Sequence, residues 1–336
     1  MKAIVIGLGS MGKRRIRCLK TLGVNDIVGV DLRCDRREEA AQRYGIRTES
    51  ELSKVWKGFL PDVAIISVPP KAHVSVMNAC IDHSVPFFVE ASVVDDGLSG
   101  VIERVKHKNL VAAPSSTLYF HPAIAEIFRL VRSNILGKIS NVMLHSGQYL
   151  PDWHTYEPVS DYYVSDPATG GAREIVPFEM TWFTDLFGFP LRVACQYRKT
   201  IEIVGAEGID DTYNGILDYG TFLATVTVDV VSRRATRRLT INGEKGQLIW
   251  SWDDATIKVF DGVSAQWSEF GYQMEAAEPG YNENIGENMY IDEIRAFLDA
   301  VAGKASFPNT LERDHRVLKL LYALERSDYT STFQLL

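Results

Sequence analysis

The first third of the chain alternates short, wholly apolar runs with longer amphipathic stretches. Each apolar run is rich in β-branched or aromatic residues, which is typical of a strand buried on both faces of a parallel sheet. Such strands are predicted at Ala3–Ile6, Asp26–Val30, Val63–Val68, Pro86–Val89 and Leu110–Ala113, with helices between them at Lys13–Leu22, Asp35–Tyr44, Glu51–Phe59, Lys71–His83 and Leu98–Lys106. This order predicts a doubly wound α/β domain, which binds ligands at the carboxyl ends of its strands.

Beyond residue 120 the pattern becomes that of an α+β domain. A helix is predicted at Ala123–Val131 and a long strand at Ile139–Tyr149, and two further helices contain Ile294–Val301 and Val317–Leu324. Apolar and polar residues alternate from Phe222 to Val230, which is the period of a half-buried strand. Other strands follow at hairpin spacing near Leu191–Thr200, Tyr213–Tyr219, Arg238–Asn242, Gln247–Trp252 and Thr256–Phe260. We therefore predict two domains, 1–120 and 121–336, the second with a large and mostly antiparallel sheet.

A glycine-rich turn follows the first predicted strand and leads into the first helix. The order of strand, G-x-G-x-x-G and helix is the dinucleotide-binding fingerprint of a Rossmann domain. Gly7 permits the tight turn, Gly9 leaves room for a pyrophosphate, and Gly12 lets the helix pack close to the strand. The first amides of the helix also attract phosphate. All six residues of the turn are predicted to contact the cofactor: Gly7, Leu8, Gly9, Ser10, Met11 and Gly12.

An acidic residue stands where the adenosine ribose of a dinucleotide is usually bound. Asp31 follows the second predicted strand and lies 19 residues after Gly12 (31 − 12), close to the roughly 20 expected for the ribose-binding acid. Its carboxylate favours NAD because it would repel a 2′-phosphate. Arg33 is the counter-argument, since a guanidinium pairs well with that phosphate, so NADP is the alternative. Without a cofactor, Asp31 would only cap the next helix.

Other candidate cofactor residues follow the next two strands. Val68 and Pro69 end one strand, His73 opens the helix after it, and Glu90 ends the following strand. Because carboxyl ends of parallel strands meet at one edge of the sheet, we expect these residues beside the glycine turn. His73 is expected to contact the cofactor or to cap its helix.

Composition narrows the classes of function. The chain of 336 residues has 46% hydrophobic and 24% charged residues, as in ordinary globular proteins. A net charge of −7 gives no support for a nucleic acid or an anionic membrane as partner. No apolar run reaches the roughly 18 residues of a membrane span. The four cysteines lack metal-binding spacing, so we expect no metal site, and an apolar strand from residue 3 leads us to expect a cytoplasmic protein.

Short motifs beyond the glycine turn extend along nearly the whole chain. They are Val68-Pro-Pro-Lys-Ala-His73, Phe88-Val-Glu90, Phe120-His-Pro122, Ile135-Leu-Gly-Lys-Ile139, Gly170-Gly171 and Met289-Tyr-x-x-Glu293-x-x-x-Phe297. In this order and spacing the chain resembles the Gfo/Idh/MocA oxidoreductase family. The resemblance implies a Rossmann domain and a substrate-binding domain whose open-faced sheet commonly forms the interface of a homo-oligomer, here a dimer or tetramer. It also implies NAD or NADP, and sugars, sugar nucleotides or cyclitols as substrates.

Two positions depart from the family's pattern. Members of the family carry a lysine after the acid that matches Glu90, where it helps to activate the reacting hydroxyl. This chain has Ala91, which neither donates a hydrogen bond nor carries charge. Members also place an acid after the paired glycines and a histidine on the next helix. Glu174 matches the acid, but the histidine position falls on Glu179 or on Phe178.

The segment around Glu174 contains an adjacent pair of opposite charges. Proline is tolerated in the first turn of a helix, so Pro177 predicts a helix that begins near Val176 and leaves Arg173 and Glu174 in the preceding loop. A carboxylate beside apolar residues in such a loop is a candidate for a shifted pKa. The alternative is a cap or an ion pair that only holds the loop.

Aromatic residues and a histidine precede this segment. Trp153 and Tyr156 are candidates for stacking on the face of a sugar, and His154 titrates near neutral pH. We predict that proton transfer falls to His154 or to Arg173 and Glu174, with Glu179 as the weaker candidate, on connections expected to border the nicotinamide. The alternative is a packed Trp153 and a surface His154.

Two functions remain open from the sequence. The first is an NAD(P)-dependent oxidoreductase that transfers a hydride between nicotinamide and the hydroxyl or carbonyl group of a sugar-like substrate. The second is a sensor or assembly protein that binds a dinucleotide without turnover, which the replacement of the lysine and the histidine favours. The enzyme is favoured by His154, Arg173 and Glu174, because polar side chains are costly in an empty pocket.

Overall fold

The structure is a computed structural model that describes residues 1–155, 157–273 and 286–336. Its helices are α1 Ser10–Thr21, α2 Cys34–Tyr44, α3 Leu52–Val55, α4 His73–Asp82, α5 Leu98–Lys108, α6 Pro122–Arg132, α7 Ala172–Phe187, α8 Glu287–Val301 and α9 Leu311–Thr330. Its strands are β1 Lys2–Ile6, β2 Asp26–Val30, β3 Arg47–Glu49, β4 Val63–Ile66, β5 Phe87–Val89, β6 Ala112–Pro114, β7 Ile139–Tyr149, β8 Arg192–Arg198, β9 Thr212–Asp218, β10 Leu223–Asp229, β11 Val231–Gly243, β12 Gly246–Ser251, β13 Thr256–Asp261, β14 Gln266–Gly271 and β15 Gln334–Leu335.

The chain divides into two compact units. The first contains Met1–Thr117 and Asn288–His315, and the second contains Leu118–Glu287 and Arg316–Leu336. The segment 288–315 therefore groups with the first unit, whereas the sequence placed everything after residue 120 in the second. Side chains of α8 explain the difference, since Phe297 packs on Phe88 with their ring centroids 6.1 Å apart. A change of hydrophobic pattern along the chain carries no information about such a return.

The first unit is the predicted Rossmann domain. Among its described residues, six parallel strands pair in the order β3-β2-β1-β4-β5-β6. The central strand contributes Ala3, Ile4 and Val5, which are wholly buried because the sheet is covered on both faces. Since the strands are parallel, the glycine turn, Asp31 and Glu90 all follow carboxyl ends at the same edge of the sheet.

The second unit contains the predicted open-faced sheet. In the part of the chain that the structure describes, nine strands pair in the order β14-β13-β12-β11-β7-β10-β9-β8-β15. All neighbours are antiparallel except β7 and β10, which pair in parallel. One face buries Val142, Leu144 and Val226 in the core. The alternate residues Met143 and Ile216 are 46% and 44% exposed on the other face.

Several predicted elements differ from the structure, as α7, β11 and β14 show. Helix α7 begins at Ala172 rather than near Val176, so Pro177 lies inside the helix. Strand β11 begins at Val231, seven residues before the predicted start at Arg238. Strand β14 was missed because its side chains are almost all exposed, which leaves no alternation to detect.

Candidate active site

The backbone of the glycine turn depends on the absence of side chains. Gly7 has a φ of +91°, and a Cβ atom there would lie 2.3 Å from the carbonyl oxygen of Ser67. A Cβ atom on Gly12 would lie 1.8 Å from the carbonyl oxygen of Gly7. Gly9 caps α1 in an extended conformation and without any side-chain cap. The positive end of the α1 dipole therefore faces the turn. Among the described residues no side chain caps it and its first turn has no acidic residue, which suits a phosphate site.

Asp31 holds the glycine turn from the neighbouring strand end. Its Oδ2 accepts a hydrogen bond from the backbone N–H of Leu8 at 2.7 Å, and its Oδ1 accepts one from the N–H of Arg33 at 2.9 Å. Each carboxylate oxygen has a second lone pair, so hydrogen bonds from ribose hydroxyls are compatible with this arrangement. The turn, the α1 terminus and Asp31 together fit a dinucleotide.

An arginine other than the expected Arg33 lies beside Asp31 and Gly9. Arg33 forms an exposed ion pair with Asp35 at 2.6 Å. Arg36, which the sequence did not single out, lies 4.0 Å from Asp31 and would be 3.4 Å from a Cβ atom on Gly9. Its position on the first turn of α2 was a signal that could have been used.

His73 is a buried, uncharged residue at the start of α4. Its Nε2 hydrogen bonds with the carbonyl oxygen of Val68 at 2.9 Å. Burial lowers the pKa of His73 to about 4, so the imidazole is neutral at pH 7. The ring fixes the Val68–Pro69 connection and does not cap α4, and its contact with the cofactor stays a prediction.

Glu90 is held by a buried arginine that sequence analysis missed. Arg15 of α1 donates through Nε and Nη2 to the two Glu90 oxygens at 2.7 and 2.9 Å, and Ser67 Oγ donates at 3.2 Å. The Nη1 of Arg15 lies 2.8 Å from Glu293. Burial opposes the charge on Arg15, but the two carboxylates outweigh it and the net effect is a raised pKa. This bidentate pair orients Glu90 rather than freeing it to act as a base.

Arg173 and Glu174 do not form the expected pair in the second unit. Arg173 donates to Glu325 Oε1 at 2.6 Å and to the carbonyl oxygen of Ala168 at 2.6 Å. Both residues lie in the first turn of α7 rather than in the preceding loop. Consecutive helical residues point about 100° apart, which explains why they find separate partners.

Glu174 has the properties expected of a proton-transfer group. Tyr163 Oη donates a hydrogen bond to its Oε1 at 2.5 Å. Its Oε2 is buried and has no hydrogen-bond partner among the described residues. Burial raises the pKa of Glu174 to about 7, against the opposing effect of the Tyr163 hydrogen bond. The carboxyl group is therefore poised to gain or lose a proton near neutral pH.

A row of aromatic rings connects Glu174 with His154. His154 stacks on Tyr162 with a centroid distance of 4.5 Å, and Tyr162 meets Tyr163 edge to face at 6.3 Å. His154 Nδ1 also pairs with Glu157 Oε1 at 2.9 Å. The structure thus brings both predicted proton-transfer candidates into one cluster. Tyr162 and Tyr163 were missed, although two adjacent tyrosines between the candidates were visible in the sequence.

Glu179 is part of the core. It is completely buried and accepts hydrogen bonds from Ser146, Trp182 and Arg237 at 2.6 to 2.9 Å. With no exposed surface and its donors inside the protein, this carboxylate stabilises the packing of α7 against β7 and β11.

Of the two residues predicted to stack on a sugar, Trp153 and Tyr156, the structure describes only Trp153. Trp153 packs against the core of the second unit, and its Nε1 is buried without a hydrogen-bond partner in the described part of the chain. Tyr156 lies outside the described residues. In residues 1–155, 157–273 and 286–336, no helix is long and apolar enough to cross a membrane, and no cluster of three His, Cys, Asp or Glu side chains could hold a metal ion.

Two protein-family models match the chain, one in its N-terminal part and one in its C-terminal part. Residues 1–95 match the model of the oxidoreductase family with an NAD-binding Rossmann fold. Residues 124–249 match the GFO/IDH/MocA C-terminal domain. A search of curated proteins gave no match.

Solved structures with the same fold cover essentially the whole chain. Levoglucosan dehydrogenase in complex with NADH and levoglucosan has a TM-score of 0.85 and 16% identity, covering 100% of this chain and 99% of the other. An oxidoreductase from Agrobacterium radiobacter in complex with NAD+, L-tartaric acid and magnesium has a TM-score of 0.85 and 12% identity, covering 100% and 98%. A putative NADPH-dependent oxidoreductase from Desulfitobacterium hafniense has a TM-score of 0.83 and 14% identity, covering 99% and 97%. At these identities the likeness concerns the fold.

Proposed function

Because the chain belongs to the Gfo/Idh/MocA family of NAD-binding oxidoreductases, we propose that it is a dehydrogenase or reductase acting on a CH–OH group or its carbonyl. The observation that carries this proposal is the Tyr163–Glu174 pair, a buried carboxyl group with one unpaired oxygen and a pKa near 7. Such a group beside a tyrosine hydroxyl fits general acid–base catalysis, which the sensor function does not require.

Residues of the first unit support the proposal that the protein binds a dinucleotide. The glycine turn, the end of α1 and Asp31 together form a dinucleotide-binding surface, and Arg15 holds Glu90 in a single orientation. We propose NAD as the preferred cofactor because the Asp31 carboxylate would repel a 2′-phosphate. When bound, NAD supplies the hydride acceptor or donor.

Proton transfer is assigned to the second unit. In the direction of oxidation, the substrate hydroxyl loses its proton as the C–H hydride leaves. Tyr163 accepts that proton while passing its own to Glu174, and the reverse sequence serves reduction. His154 is the alternative proton carrier, since Glu157 orients its ring and imidazole titrates near neutral pH. Either group would take over the role of the lysine that Ala91 replaces.

The proposed substrate class is a sugar, sugar nucleotide or cyclitol. The stacked rings of His154 and Tyr162 offer the flat, partly apolar surface that binds a sugar ring. Among structures with this fold, one contains levoglucosan and another L-tartaric acid, and both molecules carry several hydroxyl groups.

The test is a screen of sugars, sugar nucleotides and cyclitols with NAD and NADP, followed by NADH or NADPH absorbance. With an active substrate, Glu174→Gln, Tyr163→Phe and His154→Ala should show which group carries the proton. Loss of the carrier should lower kcat by at least about tenfold and leave cofactor affinity near normal. Glu207→Gln is the matched control because Glu207 is exposed.

Two outcomes would contradict this proposal. If all three variants keep full turnover, the proton path has been placed on the wrong residues. If NAD binds but no substrate of these classes is turned over, the sensor function should replace the enzyme.

A further inference from the structure

The first turn of α9 holds the loop that follows Glu90. Asp314 hydrogen bonds with Ser92, and His315 Nε2 lies 2.9 Å from Asp95 Oδ2. Glu312 pairs with Lys106 of α5 at 3.2 Å. All these residues belong to the first unit. Asp314 and His315 thus hold the connection between β5 and α5, where the family's lysine is absent, and Glu312 holds α5 itself.

Asp314 differs from Glu312 and His315 because it has no partner of opposite charge among the residues that the structure describes. It is only 4% exposed, and its Oδ2 has no hydrogen-bond partner within the described residues. Its charged neighbours on the same turn are paired elsewhere, Glu312 with Lys106 and His315 with Asp95. Across the loop, Glu90 is paired with Arg15. A charge on Asp314 would therefore be buried without a cation to balance it.

We propose that Asp314 is a proton-dependent positioning residue, which holds the loop 91–96 for cofactor binding only while its carboxyl group is neutral. The neutral group accepts the Ser92 hydrogen bond inside the protein at little cost. The ionised group gains stability by becoming hydrated, and this requires the loop to move away from α9. The loop 91–96 directly follows Glu90. Its movement therefore disturbs the edge of the parallel sheet where we propose that the cofactor binds.

The direction of the effect follows from the burial of Asp314. Burial raises the pKa of Asp314 from its ordinary value of 3.8 to about 7, while the Ser92 hydrogen bond acts in the opposite direction. If the cofactor binds to the protonated form, affinity is constant below pH 7 and falls above it. One linked proton corresponds to about a tenfold change in affinity per pH unit.

The experiment measures NADH affinity by fluorescence titration from pH 5.5 to 9, without any substrate. In the wild-type protein, the dissociation constant should rise about tenfold between pH 7.5 and 8.5. Asp314→Asn keeps a neutral group of the same shape, so its affinity should stay constant across this range. The protection factors of amides 91–96, which correct for the intrinsic rise of exchange with pH, should fall above pH 7 in the wild type but not in the variant.

Asp96→Asn is the matched control, because it removes an exposed carboxylate from the same loop and leaves Asp314 and the contact between Asp95 and His315 in place. It should keep the fall in affinity above pH 7. The inference rests on the proposed cofactor site, and the two can fail separately. Absence of NADH binding at every pH overturns the cofactor site and this inference with it. Binding with the same pH profile in wild type and Asp314→Asn overturns only the role of Asp314.

Discussion

Two carboxyl groups, those of Glu174 and Asp314, link protonation to the stability of this protein. Burial raises the pKa of each to about 7, from ordinary values of 4.5 and 3.8. Since the folded state binds the proton more tightly, the stability contributed by each group is full below its ordinary pKa. It is lost as the pH rises towards 7, by about 1.4 kcal/mol per pH unit for each group.

Replacing these carboxyl groups by amides should therefore flatten the pH profile of stability. Urea unfolding of Glu174→Gln and Asp314→Asn at pH 5, 6, 7 and 8 should each show a smaller loss between pH 5 and 7 than the wild type. The double variant should show the smallest loss. Equal losses in all four proteins would mean that neither group is protonated when folded.

Replacing Gly9 by a residue with a side chain tests the position of the cofactor site. A side chain on Gly9 would stand towards Arg36 at the edge of the turn, where we expect the pyrophosphate. Gly9→Val should therefore abolish NADH binding in calorimetry while leaving the thermal unfolding temperature within a few degrees of the wild type. Gly58→Val is the control, because a Cβ atom on Gly58 meets no atom within 4 Å. NADH binding that survives in Gly9→Val would place the cofactor elsewhere.

Asp31 and Arg36 bear on the choice between NAD and NADP. We expect NAD to bind more tightly because the Asp31 carboxylate opposes a 2′-phosphate, although Arg36 lies 4.0 Å from it. Asp31→Ala should narrow the preference by at least about tenfold, partly because the guanidinium is then free to pair with the phosphate. Competition titrations with both cofactors measure this, and equal or tighter binding of NADP by the wild type would contradict the expectation.

At the scale of elements, helix α7 contains a proline where helices rarely tolerate one. Pro177 is the sixth residue of α7 and cannot donate a hydrogen bond to the carbonyl oxygen of Arg173. An interior proline destabilises a helix by about 3 kcal/mol. Proline also restricts the unfolded chain, which offsets about 0.4–1 kcal/mol of this loss. This strained turn carries Arg173 and Glu174, so the helix loses stability where the proposed site lies.

Pro177→Ala should consequently stabilise the protein by about 2 to 2.6 kcal/mol in urea unfolding. Pro122→Ala is the matched control, because Pro122 is the first residue of α6, where no backbone donor is needed. That variant should gain nothing. A Pro177→Ala protein that is less stable than the wild type would show that packing of the buried ring outweighs the missing hydrogen bond.

At the scale of the molecule, the open face of the large sheet is the expected oligomer interface. A row of small or apolar side chains crosses it in register, through Ala194, Ile216, Thr225, Met143, Thr240 and Ile249. An exposed apolar row of this length is unusual in a monomer. The family resemblance implies the same use of this face.

Sedimentation velocity at micromolar concentration should find a dimer or tetramer. Ile216→Asp places a charge within the row and should shift the protein to a monomer. Val263→Asp is the control, because Val263 is 92% exposed and lies in the turn after β13 rather than on the sheet face. A monomeric wild type would exclude this interface, and an unchanged assembly of Ile216→Asp would move it elsewhere.

The sequence by itself determined those features that depend on neighbours along the chain. The turn from Gly7 to Gly12 and the spacing to Asp31 encode a cofactor site because strand, turn and helix follow one another directly. The order of apolar runs determined the parallel sheet, since a strand buried on both faces needs no polar alternation. A shifted pKa of Glu174 was foreseeable because it stands among apolar residues, but the direction of the shift was not.

Only the tertiary structure decided which side chains are partners. Arg173 binds Glu325 rather than its neighbour Glu174, and Arg15 binds Glu90 and Glu293. These partners are far apart in sequence, and a charged residue can pair with many others until the fold brings one of them within reach. The same applies to Glu174 and Asp314, because loss of solvent around a carboxyl group depends on packing from several elements at once. Local pattern determines the elements and their motifs, whereas the protonation and orientation of the site belong to the folded protein.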